Sequence, residues 1–458
     1  MIENDAFKLL LINLFHLNPD DITNIVCTTF NKMMVLLVTL ADKHQACPYC
    51  GFTAPKIKEY VTKEITHSAL TTQKCIIKYR ARRYKCSCCG KTYYEFNPFV
   101  FKSQKISILT VHNILKDLKD FNETFTSVAR RYHVSPTSVS TIFDKHVDIG
   151  RNPLPEIINF DEVYAFKSEK SKYVCVLLDF KKQIPVDVLP NRKKEYLLNY
   201  FQKIPLEERK KVKYACSDMY EVYRDVVHKV FPSCCMLLDY FHLSQDFHRK
   251  MNEVRIKVMK GYKDNKASDE YYLLKKFNWL LFKNPEDEDK YGRLFDVERE
   301  RKYNSHFKSY MNYYDLRKKL LEINNDLTIC YSLKLELVDF YSKSTIDNAQ
   351  VNLEYLIRSF IDTNIEEMIA FSNNLINWKQ EIINSFTIVG TEYKVEADKG
   401  QVVVCNKKVN NAIIENRNKI IKCIKNNANG YTNWSRFRNR VMYVLDPNAT
   451  FSLEPREK

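Results

Sequence analysis

Four observations set the fold class. Three short apolar strands, a helix, a strand, a helix and a strand follow one another after residue 156. Two matched Cys-x-x-Cys-Gly segments lie near the N-terminus, and two short capped amphipathic helices follow them. A long, mostly helical stretch then separates the strands from a last basic helix. Together these predict an α/β ribonuclease H-like core with a long helical insertion, preceded by a zinc finger and a helix-turn-helix domain. The expected division is an N-terminal helical segment over 1–45, a zinc-binding finger over 46–100 and a helix-turn-helix over 101–150. The core begins at 155–250, is interrupted by the insertion over 251–400, and closes with a final helix and basic tail over 401–445.

The 458 residues suit about three domains. At 45% hydrophobic and 28% charged residues the composition is globular. Lys and Arg number 72 against 56 Asp and Glu, a net +16 that favours a polyanionic partner. Only 8 glycines are present, with no GxGxxG and no Gly-Lys-Ser/Thr sequence, which disfavours a nucleotide-driven motor. Glu3 and Asp5 sit where a targeting signal would be basic. The longest apolar run, Met33–Ala41, falls short of the roughly 20 residues that a membrane span requires. A reducing compartment, the cytoplasm, is therefore expected, and the 14 cysteines are expected as metal ligands or buried small hydrophobes, not disulfides.

Cys47-Pro-Tyr-Cys50-Gly51 and Cys86-Ser-Cys88-Cys89-Gly90 give the first module its chemistry. Two residues between cysteines let one tight turn aim both thiolates at an ion, and four thiolates close a structural zinc site. Cys88 leaves some ambiguity in the second pair. Glu59–Ile65 and Cys75–Arg80 fit strands between the pairs. Lys74–Lys91 holds seven basic residues and no acid, Arg80, Arg82, Arg83 and Lys85 among them, with tyrosines interleaved. Such a surface suits phosphate contacts that position a protein on DNA. A solvated basic strand face is the plain alternative.

Phe125, Val128 and Ala129 recur at helical spacing, then a turn leads to Ser135, a fitting N-cap, and Pro136, a fitting first residue. Val139, Ile142 and Phe143 form the next buried stripe. This second helix would offer Thr137, Ser138, Ser140 and Thr141 to a DNA groove, with Arg130 and Arg131 near the backbone. Any two short amphipathic helices imitate that layout.

Pro153 and Pro155 mark a linker. The expected strands are Ile157–Phe160, ending at Asp161, then Tyr173–Phe180, Pro185–Leu189, Val212–Ser217, ending at Asp218, and Cys234–Asp239. The expected helices are Lys193–Lys203 and Tyr220–Val230. Asp161 and Asp218 at strand ends suit hard divalent cations, and a third acid is expected from a later helix. Residues 401–440 carry nine basic residues and one acid, Glu415. A helix over Lys408–Asn426 would bury Val409, Ile413, Ile420 and Ile424, leaving Glu415 off that stripe among Asn411, Asn418, Lys419 and Lys422. Glu415 is then either a surface partner of Lys419, worth about 0.3–0.5 kcal/mol, or a metal ligand among cations that hold phosphates.

At this point the chain resembles the bacterial DDE transposases of the ISL3 insertion-sequence family, over nearly its whole length. The resemblance rests on the cysteine knuckles with Arg82-Arg83-Tyr84-Lys85, the helix-turn-helix, Asp161-Glu162, Asp218-Met219-Tyr220 and Asp239-Tyr240-Phe241-His242. It continues through Ile413–Lys422 and the basic tail, Asn429-Gly430-Tyr431 and Arg436-Phe437-Arg438-Asn439-Arg440. It implies that Asp161, Asp218 and Glu415 are the catalytic acids and hold two magnesium ions, with manganese as a substitute. It also implies binding of double-stranded DNA, both the terminal inverted repeats and the target, by a homodimer in the synaptic complex of a bacterial nucleoid. Lys419, Lys422, Arg436 and Arg438 would join the DNA contacts. Asn416 and Asn426 depart from the family pattern, which usually has Gly and a basic residue there.

Asp239 and His242 are expected to support the acids, and Glu162 to face away from them. Within the insertion, Tyr271–Phe282, Ala349–Ile361 and Phe371–Phe386 are expected as amphipathic helices. Trp279 and Trp378 are expected in the core, although either has the ring to stack on a base. Two other functions use the same parts: a DNA-binding regulator without catalysis, and a structure-specific nuclease.

Overall fold

The computed structural model describes residues 2–43, 45–53, 55–68, 70–101, 104–166, 171–395 and 402–456. Helix α1 (Ile2–Leu14) opens the chain, but the rest of the expected N-terminal helical segment is a hairpin of β1 (Ile22–Phe30) and β2 (Met33–Leu40). Its turn residues Asn31 and Lys32 have φ of 48° and 61°, the left-handed pair that a two-residue hairpin turn requires. β-Branched residues in Ile22–Thr29 outweigh any helical period there. The hairpin belongs to the finger: β3 (Lys56–Thr66), β4 (Cys75–Lys85) and β5 (Thr92–Tyr94) complete one five-stranded sheet of order β1-β2-β4-β3, with β5 beside the end of β4. The boundary expected at residue 45 therefore falls inside a sheet. Leu11 and Ile12 of α1, with Phe15 just beyond its end, close its core against Leu36, Val38 and Ile77.

Helix α2 (Ile108–Asp117) precedes α3 (Phe125–Arg131) and α4 (Pro136–His146). The Ser135 hydroxyl accepts from Ser138 N and Pro136 opens α4, so the cap chemistry read from the sequence sets this start. Val128, Ala129, Val139 and Phe143 are buried together.

The central sheet contains β6 (Ile157–Val163), β7 (Val174–Asp179), β8 (Pro185–Leu189), β9 (Tyr214–Ser217) and β10 (Cys235–Leu238), with α5 (Lys194–Gln202), α6 (Leu206–Arg209) and α7 (Glu221–Val230) between the later strands. Its order is β10-β9-β6-β7-β8. β10, β9 and β6 are parallel, β7 runs antiparallel to β6, and β8, antiparallel to β7, runs in the direction of β6 again. One expectation needs correction: β6 does not end before Asp161. Val163 still pairs with Val174 of β7, so Asp161 lies within the strand, beyond its last pairing with β9 at Asn159.

Helix α8 (Tyr240–Lys260) leads into the insertion: α9 (Asp269–Lys276), a 3-10 turn over Asn278–Phe282, α10 (Tyr313–Glu322), α11 (Asn325–Lys343), α12 (Ala349–Ile361), α13 (Glu366–Asn377) and α14 (Lys379–Asn384). The helix expected over Phe371–Phe386 is broken at Trp378, which caps both α13 and α14 and is buried in the shared core; Trp279 packs against that core. The small hairpins β11/β12 (Glu288–Asp289, Gly292–Arg293) and β13/β14 (Lys302–Asn304, Ser309–Met311) were not expected.

A last hairpin, β15 (Ile388–Val395) and β16 (Val402–Lys408), leads to α15 (Ala412–Asn427) and α16 (Trp434–Leu445). Residues 396–401, where the insertion was expected to end, lie outside the described residues. The expected helix start at Lys408 is also corrected, because Lys408 pairs with Ile388 in the hairpin. The buried stripe shifts with it: Ile414, Asn418, Ile421 and Ile424 face inward, while Ile413 and Ile420 are only partly buried.

Candidate metal centres and nucleic-acid interface

The two cysteine segments fold as copies of one turn. Gly51 N donates to Cys47 O and Gly90 N to Cys86 O, and the two glycines have φ of 75° and 70°, a region in which a Cβ would be strained. The turns face each other, with Cys47 Sγ 3.7 Å from Cys89 and Cys50 Sγ 3.5 Å from Cys86. All four sulfurs lie within 4.8 Å of one another, and Cys88 is outside the group. Backbone N–H groups, first that of Cys89, bring the Cys86 thiol down to about 7, so it ionises readily. Four thiolates in this arrangement fit a tetrahedral structural ion.

Parallel β6, β9 and β10 deliver three acids to one sheet edge. Asp218 follows the last residue of β9 and Asp239 the last residue of β10, and the register aligns these ends. Glu415, in the first turn of α15, approaches the same edge. His242, in the first turn of α8, stands between them, with Nε2 3.8 Å from Asp239 Oδ2 and 3.6 Å from Glu415 Oε1. Asp239, His242 and Glu415 offer ligand atoms within 4.8 Å of one another. Asp161 and Asp218 lie beside this group and outside it.

Burial shapes the acids. Desolvation raises the Asp161 carboxyl to about 7, and the Asp218 charge adds to it. Desolvation likewise raises Asp218 to about 6, with Glu162 adding and His242 and Arg192 opposing. Asp239 is raised by burial against the N–H of Asn411. Glu162 points the other way, to Arg192 and the Tyr223 hydroxyl, as the strand alternation requires. Four atoms at this edge are buried without a hydrogen-bond partner: Asp218 Oδ1, Asp239 Oδ2, His242 Nε2 and Asn418 Oδ1. Each such atom is costly. A divalent cation is the kind of group that answers such an oxygen-rich, partly protonated set.

Asparagines hold α15 over the strands, and this role was not read from the sequence. Asn418 Nδ2 donates to Asp161 Oδ2 at 2.7 Å. Asn411 donates from its backbone to Asp239 Oδ1 and from its amide to Phe160 O, and it accepts from Asn159 Nδ2 at 2.7 Å. Polar spacing around Glu415 was the available signal, but it did not say which asparagines turn inward.

The residues expected to contact DNA separate into two kinds. Arg80, Lys85, Arg130, Thr137, Thr141, Lys419 and Lys422 are exposed. Ser138 is engaged with Ser135 at the α4 cap. The other arginines are bound internally. Arg82 pairs with Glu95 and donates to Leu40 O, Arg83 pairs with Glu59, and Arg131 pairs with Asp117 and Glu123. Arg436 bridges to Asp144 of α4 and Arg438 to Asp187 of β8.

Residues 158–397, just over half of the chain, match the ISL3 family model described as "Transposase". The chain is also similar to the transposase for insertion sequence element IS1001 of Bordetella parapertussis, 20% identical over 411 residues, which cover 89% of this chain and 90% of that protein. No helix among the described residues is long and apolar enough to cross a membrane.

Proposed function

Because the chain belongs to the ISL3 family of transposases, we propose that it binds the terminal inverted repeats of its own insertion sequence and carries out metal-dependent strand cleavage and strand transfer. The observation that supports this reading is the sheet edge where Asp239, His242 and Glu415 offer ligand atoms within reach of one another, with Asp161 and Asp218 beside them and buried atoms of Asp218, Asp239 and His242 left unpartnered. The strand order β10-β9-β6-β7-β8, with one antiparallel neighbour beside the first strand, supports a ribonuclease H-like core.

Asp161, Asp218 and Glu415 would hold two magnesium ions, with Asp239 and His242 supporting them. Such ions supply charge neutralisation at the attacking and leaving oxygens of an in-line displacement. Asn418 would orient Asp161 through its amide hydrogen bond, and His242, close to both carboxylates, would steady Asp239 and Glu415. Lys419 and Lys422, one and two turns beyond Glu415, would bind the phosphates flanking the scissile bond. The zinc module and α4 would locate the ends, and two protomers would pair them.

The test is cleavage of end DNA with magnesium by Asp161→Asn, Asp218→Asn and Glu415→Gln variants. Each is expected to lose at least about 10³-fold in rate, the order of a lost electrostatic stabiliser, while still shifting end DNA in a gel. Cleavage at the unmodified rate in all three would discard the proposal.

A further inference from the structure

One edge of the zinc-module sheet is unprotected. Strand β1 ends the order β1-β2-β4-β3 and, among the described residues, pairs with β2 alone. Its nine residues, Ile22–Phe30, include no Asp, Glu, Lys, Arg or Pro. The opposite edge, β3, carries Lys56, Lys58, Glu59, Lys63 and Glu64. Sheets ordinarily guard a free edge with charge or proline, because its unpaired N–H and C=O groups are a template for another strand. In this sheet one long edge is guarded and the other is not.

The apolar surface around β1 follows the same pattern. Val26 is 45% exposed and Phe30 64%, and Leu37, the cross-strand partner of Val26, is also exposed. Helix α1 packs against β1 and turns Phe7, Leu10 and Leu14 outward. In a chain of net +16, two copies repel over most of their surface. The uncharged β1 strip is a place where they can meet without opposing like charges. A strand edge is also its own complement: two identical strands pair antiparallel about a two-fold axis, each N–H meeting the other's C=O.

We propose that β1 is a self-association edge, where two copies of this chain join their sheets through antiparallel β1–β1 pairing, with Val26, Phe30 and the outer face of α1 covering the seam. The use of such a dimer, holding two end-binding modules together, rests on the transposase reading. The pairing itself does not.

Sedimentation equilibrium of the zinc-loaded full chain without DNA tests it. The unmodified protein is expected at twice the chain mass. Val26→Lys and Phe30→Glu, both at exposed positions, are expected to weaken association at least tenfold, while Val404→Lys, exposed on β16, leaves it intact. Zinc content and circular dichroism report whether the variants fold. Independently of any variant, hydrogen exchange of the β1 amides in unmodified protein is expected to slow as concentration rises. A monomer at every concentration, a dimer indifferent to both charges, or β1 exchange independent of concentration would each overturn the proposal. None of these readings depends on cleavage, so a failed catalytic assignment stays distinguishable.

Discussion

Asn418 occupies a turn of α15 that an ordinary amphipathic helix fills with an apolar side chain, between buried Ile414 and Ile421. Its amide donates to Asp161 and its carbonyl oxygen has no partner. Leaving such an atom unpaired costs about 1–3 kcal/mol, so a packing role alone does not account for it. Asn418→Leu fills the same space and removes both polar groups. The expected result is a folded protein that binds end DNA normally but cleaves about 10–100-fold more slowly, the usual effect of losing a group that orients a metal ligand. Unchanged single-turnover cleavage would show that Asn418 only packs. The sequence reveals Asp161 and Asp218 because each follows a short apolar run. It conceals Asn418, because a helical pattern counts asparagine as outward-facing and the true stripe is displaced by one residue. Likewise Arg82 and Arg131 read as free cations, since Glu95 and Asp117 become their partners only once β4, β5, α2 and α3 are folded.

At the scale of elements, a turn is decided by local chemistry and a strand by its neighbours. That is why α4 with its Ser135 cap could be read closely, while the β1–β2 hairpin could not: β4, the strand that β2 pairs with in turn, lies more than thirty residues on, beyond any local pattern. The same dependence suits a structural ion at the four cysteines. The knuckle turns bury little besides Cys47, Tyr84, Cys86 and Tyr93, so apolar packing does little to hold the four cysteines together. Chelation is expected to abolish end binding and expose the first ninety residues to protease, while the α8–α14 bundle stays resistant; limited proteolysis with mass spectrometry reads both. The bundle has its own titration. Lys334 of α11 is buried, donating to Leu281 O and Lys283 O, and desolvation lowers its ammonium to about 7, with Asp287 opposing the shift. Between about 7 and the ordinary lysine value of 10.5 the unfolded chain therefore holds the proton more tightly than the folded one. Stability then rises with pH across that window, and the cost of the buried charge is fully present below it. From this residue the melting temperature is expected to rise by at least about 2 °C between pH 7 and pH 9. Lys334→Met should flatten the profile, and an identical slope in that variant would reassign the effect.

Over the whole molecule, α16 ties the α2–α4 helices to the central sheet. Its Phe437, Val441 and Met442 lie in the core with β7 and β8, and Tyr443 lies in the core with α2–α4. Arg440, 1% exposed, donates to Asp120 O and Glu123 O at the turn before α3. Arg436 and Arg438 extend the same brace, each through an ion pair within the chain. This changes what the +16 means for DNA. Ten cations were expected to touch it: Arg80, Arg82, Arg83, Lys85, Arg130, Arg131, Lys419, Lys422, Arg436 and Arg438. Five of them, Arg82, Arg83, Arg131, Arg436 and Arg438, form ion pairs within the chain. Each phosphate neutralised lowers the slope of log K against log salt by about 0.9. If the five unpaired cations alone meet phosphates, the slope per protomer on one end is about −4.5; if all ten do, it is about −9. Fluorescence anisotropy across a salt series separates the two. Lys422→Ala should then reduce the slope by about one contact, whereas Arg438→Ala should leave the slope unchanged and lower the melting temperature instead, because its loss leaves the buried Asp187 carboxylate without its ion-pair partner, with only Tyr200 Oη and Val188 N donating to it. A slope near −9 would mean that DNA breaks the internal pairs as it binds, and that the brace between reading module and acids is released when the ends are engaged.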